Sequence, residues 1–132
     1  MKRCAVVVLL ASFAAPAGAA MTLSGAPADF VLNCAGCHKF DGSGSQRVPL
    51  LAEVGRVLAV PGGREYLARV PGVAQAPLSD ARLAALLNWL LAELGGAPPV
   101  SPYTAAEVGA LRAAPLRDPV AARAALLVPA AP

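Results

Sequence analysis

Residues 30–44 read FVLNCAGCHKFDGSG, and the spacing inside that stretch decides how the rest of the chain is read. Cys34, Cys37 and His38 bring together two of the three cysteines and the only histidine of the 132 residues. Phe30, Cys34 and Cys37 fall at i, i+4 and i+7, one face of a helix, which predicts a first helix over 28–37. The residues that follow, KFDGSGSQRVP, are small and polar with two glycines, and they read as a loop.

The third cysteine, Cys4, lies in a segment with the layout of an export signal. Met1-Lys2-Arg3 is a cationic start, Cys4 to Ala15 is almost wholly apolar, and Pro16 to Ala20 is small and ends in Ala-Gly-Ala-Ala. The apolar run is shorter than the roughly 20 residues that a spanning helix needs, so residues 1–20 are expected to be a cleaved signal peptide and not a retained anchor. No cysteine stands at the cleavage point to carry a lipid. The mature protein is then expected in an oxidising extracytoplasmic space, a bacterial periplasm, with no integral span after cleavage.

Cleavage leaves about 110 residues, one small domain with a tail. Loss of Lys2 and Arg3 lowers the net charge from +3 to +1 and leaves Lys39 as the last lysine. The arginines are scattered, and no basic stripe or aromatic ladder supports nucleic-acid binding. A chain of this size buries only about two thirds of its unfolded surface, so a large apolar cofactor would add materially to its core.

The mature chain reads as four or five helices without a convincing strand. Leu50 to Val60 has helical character interrupted by Gly55, and Arg64 to Val70 forms a short helix that Pro71-Gly72 ends. The strongest helix runs from Ser79, a good N-cap, to Leu94, with Asp80 at the positive end of its dipole and Gly95-Gly96 as its stop. Leu83, Leu86, Leu87, Leu90, Leu91 and Leu94 form its apolar stripe with Trp89 at the edge, which is the pattern of a core helix and carries no chemistry by itself. Beyond Gly96, APPVSP is a stiff linker. Thr104 with Glu107 suggests a capping box before a short helix to about residue 114, and Asp118-Pro119 opens another to about residue 128. The chain thus divides into a signal peptide, 1–20, a helical domain, 21–96, and a Pro/Ala-rich extension of two short helices, 97–132.

Several chemistries compete for CAGCH. A thioredoxin-like pair wants a βαβ setting, which is missing, and a zinc site wants four ligands where the stretch offers three. A structural disulfide accounts for the two thiols but leaves the adjacent histidine unexplained. Covalent haem attachment uses all three residues: Cys34 and Cys37 add to the vinyl groups as thioethers, and His38 is carried under the iron as proximal ligand.

Here the sequence resembles a small monohaem c-type cytochrome of the all-helical kind, over roughly residues 26–94. The resemblance implies an all-α cytochrome c-like fold around one covalently bound haem c, with the helical extension added at the C-terminus. It implies that Phe30, four before the first haem cysteine, packs on the helix that carries Leu86 and Trp89, the family's aliphatic and aromatic pair. It also makes Pro49, in RVPLL, the residue whose carbonyl receives the free N–H of the proximal histidine, a bond that would orient the imidazole and raise its basicity.

One departure from the family stands out. Its usual sixth ligand is a methionine in the loop before the last helix, here VPGVAQAPLSD, residues 70–80, which has none. The chain's methionines are Met1 and Met21. Gln75 is the first-named distal candidate, against the plainer reading that it caps the loop or faces water, since amides are weak iron ligands. Lys39, Tyr66, Tyr103, Met21 and the new α-amino group rank below it. Without methionine the potential should be lower and the iron more open to small ligands.

The function implied is one-electron transfer in the periplasm, as a carrier or as partner of a dehydrogenase or larger redox complex, and not enzymatic turnover. Ligand binding at an open iron position, for sensing or weak peroxidase-like chemistry, is the alternative. Peroxidase chemistry is disfavoured because no second histidine remains as distal acid or base.

Overall fold

The computed structural model describes residues 23–96 and 101–128. The signal segment and its cleavage point, Met21 and most of the proline linker lie outside the described residues. Among those residues eight α-helices form and no strand, with Ser45 and Val48 making an isolated bridge.

Helices α1 (Gly25–Asn33) and α2 (Ala35–His38) carry the cysteine stretch. Sequence spacing predicted one helix through both, but the chain breaks at Cys34, whose φ of −125° leaves the helical region. Its amide still reaches the Phe30 carbonyl at 2.8 Å, so the axis turns without losing that bond. The break rotates the second thiol away from the expected shared face. Phe30 is buried, Cys34 half-buried and Cys37 exposed.

A 3₁₀ turn at Leu51–Glu53 leads into α3 (Val54–Leu58), whose second residue is Gly55, so the glycine lies within a helix where the sequence suggested a break. Helix α4 (Gly63–Arg69) follows, and Pro71 both ends it and opens α5 (Pro71–Ala74) from its first position, where the missing N–H costs nothing. Gly63 permits the close approach of α3 and α4. A Cβ there would stand 1.7 Å from the Val57 carbonyl oxygen.

Helix α6 (Asp80–Glu93) is the centre of the molecule. Ser79 caps it by accepting from the Arg82 amide at 3.3 Å, and Gly95 donates back to Leu90 at 2.9 Å as the helix ends. Five of its six striped leucines are buried, with Leu94 half-buried. Helix α1 packs along it through Phe30 and Trp89, whose rings lie 5.6 Å apart and tilted by 53°, a favourable aromatic geometry. Asp29, buried beside Phe30, accepts from the Arg82 guanidinium and so ties α1 to the first turn of α6.

The extension forms α7 (Ala105–Arg112) and α8 (Pro119–Leu127), capped by Thr104 and Asp118 respectively. The capping box is half made: Thr104 Oγ1 accepts from the Glu107 amide, but the Glu107 carboxylate turns instead to Arg64 on α4. Tyr103 and Val108 join the same core cluster as the α6 leucines. Asn88 brackets the Tyr103 backbone, accepting its N–H at 2.7 Å and donating to its C=O at 3.0 Å. The first half of the extension, Tyr103 and α7, is therefore built into the core.

Candidate functional site

The loop after His38 turns back at once. Lys39 takes a left-handed φ of 59°, and Gly44 donates to the His38 carbonyl at 3.0 Å. Gly44 itself has φ +64°, and a Cβ on it would lie 2.3 Å from the Val48 carbonyl oxygen and 2.9 Å from that of Pro49. Only glycine lets the chain fold this tightly, and the fold is what carries Pro49 back over the CAGCH turn.

Behind that turn lies a partly open cavity of about 150 Å³. Cys34, His38 and Pro49 line one part of it. Its other walls are mostly aliphatic: Val54 and Val57 from α3, Leu67 from α4, and Leu87, Leu90 and Leu91 from α6. Three polar side chains interrupt this surface, Glu53, Tyr66 and Arg123.

His38 is half-buried, and its Nδ1 is fully buried with no hydrogen bond of good geometry. Burial is the larger influence on the imidazole and pushes its pKa down, while the nearby Pro49 carbonyl pulls it up. The carbonyl thus lies against the ring as an approach that has not closed into a well-formed bond. Cys34 and Cys37 are both free thiols. Burial, then the charges of Asp29 and Cys37, pushes the Cys34 thiol up.

The structure brings Cys34, His38 and Pro49 together at the cavity, whereas Cys37 is exposed and does not line it. It does not bring Gln75 there. Gln75 is the exposed C-cap of α5, between the buried Ala74 and Ala76, so its side chain faces outward. Arg112 of α7 fixes this loop by donating to the carbonyls of Ala74, Ala76 and Leu78 at 2.6–2.8 Å. Lys39 is exposed, and Tyr103 is spent in the core, its hydroxyl donating to the Arg64 carbonyl at 2.7 Å.

Tyr66 does line the cavity. Its hydroxyl donates to the Pro119 carbonyl at 3.1 Å, and burial pushes its pKa up, so it stays a protonated donor and not a phenolate. Sequence reasoning missed Glu53 and Arg123 as cavity residues. The available signal was that Arg123 is the only charged residue within the α8 run PVAARAALL.

No helix among the described residues is long and apolar enough to cross a membrane. No protein-family model matches the chain, and no solved structure gives a significant match. Among curated proteins, a cytochrome c-552 of Thermus thermophilus is 38% identical over 103 aligned positions, covering 61% of this chain and 79% of the relative. A second cytochrome c-552, from a named strain of the same species, matches with the same identity, and 70% of its own length is covered.

Proposed function

The chain belongs to the family of the cytochromes c-552 and transfers electrons through a c-type haem, and on that premise we propose that CAGCH holds the haem and that the protein serves as a periplasmic carrier. Cys34 and Cys37 are its thioether tethers. His38 is the proximal iron ligand, with Nδ1 toward the Pro49 carbonyl and Nε2 left for the metal. The haem supplies the reversible one-electron couple of its iron.

The chain's own part is positional and electrostatic. The aliphatic walls exclude water from the macrocycle and the low-dielectric surroundings disfavour the more highly charged ferric state. Pro49, held in place by the Gly44 turn, accepts from the imidazole once the ring is pulled into line, which fixes its plane and raises its donor strength. Cys37 is exposed, so a cofactor tethered through it would have its rim near solvent there, where an electron would leave.

The observation that carries this reading is the buried, unpartnered Nδ1 of His38, set beside a carbonyl at the edge of a mostly aliphatic cavity that Cys34 also lines. The test is expression with an export signal and a haem-attachment system, followed by denaturing mass analysis and a pyridine haemochrome spectrum. One covalent haem per chain is expected, lost in the Cys34→Ser, Cys37→Ser double variant. A wild-type chain recovered without covalent haem refutes the reading.

A quinoprotein or other periplasmic dehydrogenase is the donor class we favour, since an exported small carrier needs a partner in the same compartment. A second reading, ligand binding at an open iron position, draws on the cavity's composition. Beyond Cys34 and His38 its polar residues are Glu53, Tyr66 and Arg123, with Tyr66 protonated and hydrogen-bonded. Rapid carbon monoxide binding to a high-spin ferrous form supports that reading, and a low-spin spectrum indifferent to the gas sinks it.

A further inference from the structure

The wall that α5 gives to the cavity is held from outside. Val70 and Val73 line the cavity there, the first as the N-cap of α5 and the second within it. The helix is a single turn, Pro71–Ala74, and one turn has no stability of its own. The chain then runs through residues 75–78 to the start of α6. Three carbonyls of this stretch, those of Ala74, Ala76 and Leu78, accept from one guanidinium, Arg112 of α7, at 2.6–2.8 Å. The Arg112 side chain is only 16% exposed, and Asp80 in the first turn of α6 completes its contacts at 3.2 Å.

One side chain thus gathers acceptors from residues 74 to 80. A planar fork with five N–H donors can span such a set, whereas the point charge of a lysine cannot. Three of the four partners are neutral carbonyls, so the grip sets the path of the loop more than it neutralises an acid. The wall held in this way is aliphatic. Of residues 70–79, Val70 and Val73 line the cavity, while Gln75 is exposed. His38 reaches the same cavity from a different packing unit, since α2 packs on α1 and α5 packs on α4 and α7.

We propose that Arg112 is a positioning residue for the haem site: by pinning the 74–78 loop from α7 it holds Val70 and Val73 against the cavity, and so restricts the open iron position to neutral diatomic gases and turns away ligands of imidazole size. This deepens the open-position reading above and rests on it. Valine side chains offer a bound anion no hydrogen-bond donor. A ring has room only when the loop swings out, and the loop swings out only when Arg112 releases its carbonyls. Ring binding is then weakened by the rarity of the open loop, while a diatomic ligand binds with the loop closed.

The test uses the haem-loaded full chain and its R112Q, R112K and E107Q variants, each first checked for covalent haem and for the wild-type circular dichroism spectrum. Optical titration reads imidazole affinity in the ferric form and carbon monoxide affinity in the ferrous form. R112Q should raise imidazole affinity on the order of tenfold and change carbon monoxide affinity by less than about twofold. R112K keeps the charge without the fork and should behave as R112Q does. E107Q cuts the tie between α7 and Arg64 but leaves the loop gripped, so its imidazole affinity should match the wild type's.

Imidazole affinity that is unchanged in R112Q, restored to the wild-type value in R112K, or raised as much by E107Q overturns the proposal, the last because general loosening would then be the cause. If R112Q cannot be loaded, hydrogen exchange of the wild type decides. The amides of Gln75, Ala76 and Leu78, each bonded within residues 71–78, should be protected close to the level of α7, and exchange at the rate of an unstructured loop overturns the proposal. A wild type that carries haem and ignores carbon monoxide sinks the open-position reading and the proposal with it. One without covalent haem brings down the haem reading instead, so the failures are distinct.

Discussion

Tyr103 tests whether the extension is part of the folding unit. The residue is 3% exposed and sits where α4, α6 and α7 meet. Its ring packs under the Arg64 guanidinium, 3.9 Å from the centroid, and its hydroxyl donates to the Arg64 carbonyl. Tyr103→Ala removes an aromatic ring that buries roughly 150–250 Å², worth about 4–6 kcal/mol by area, and aromatic truncations in cores usually cost about 3–5 kcal/mol. About 4 kcal/mol is the expected loss. Tyr103→Phe keeps the ring under the guanidinium and deletes only the hydroxyl, leaving the Arg64 carbonyl without its donor at a cost of about 1–2 kcal/mol.

A domain of this kind has a total stability of about 5–15 kcal/mol, so the first substitution should remove a large share of it. The assay is urea unfolding of the haem-loaded protein, followed by far-ultraviolet circular dichroism and by Trp89, the single tryptophan, which reports on the α1–α6 contact. Both probes should move together, with Tyr103→Ala well below Tyr103→Phe and Tyr103→Phe below wild type. A Tyr103→Ala loss under about 1 kcal/mol, on the scale of an ordinary surface substitution, would refute the view that the extension completes the core.

Further outcomes follow from other contacts. Gly63→Ala should yield little folded protein, because its Cβ would meet the Val57 carbonyl at 1.7 Å, whereas Gly55→Ala has nothing within 4 Å and should be neutral or stabilising by up to about 1 kcal/mol. Soluble yield and unfolding midpoint separate the two. Both tyrosines have phenols pushed above their ordinary range by burial, while the unfolded chain ionises them near pH 10. Stability is therefore full below about pH 10 and lost as pH rises past it, and tyrosinate absorbance should appear together with unfolding and not before it. The Arg64 guanidinium holds the Glu107 carboxyl below its usual range, so that contribution is present above the ordinary carboxylate pKa and fades in acid, and Glu107→Gln should flatten the acid limb of the stability curve. Hydrogen exchange should find α8, which has no buried residue, opening before α7 and α6, and equal protection across the three would contradict that order.

The parts legible in the sequence were those written in local spacing. Six leucines at helical intervals with Ser79 before them and two glycines after them gave α6, and Thr104 and Asp118 gave the starts of α7 and α8. Adjacent Cys37 and His38, with Cys34 three before, pointed to a stretch of which Cys34 and His38 line the cavity. What escaped was set by contacts between distant residues. Periodicity continues through Cys34, but the axis turns there, where α1 has to follow α6 and the loop has to return Pro49 to His38. Gly55 is weak as a helix former, yet packing overrides propensity in so short an element. The Arg123 contact with Glu53 spans 70 residues, and no pattern along the chain announces a pairing of that range.

The two halves of the extension do different work, and the difference follows from what each buries. Helix α7 brings Val108, fully buried, and the preceding Tyr103 into the cluster around α6, and its Arg112 fixes the 74–78 loop. Its place is thus secured whether or not the cavity is filled. Helix α8 has no fully buried residue, and three hydrogen bonds tie it and the turn before it to the rest: Leu116 to the Arg69 carbonyl, Tyr66 to Pro119, and Arg123 to Glu53. Two of those three involve residues that line the cavity. Loss of the Tyr66 hydroxyl should therefore loosen α8 while leaving α7 in place, because α7 is held by Val108 and by the Arg112 bonds to the 74–78 loop.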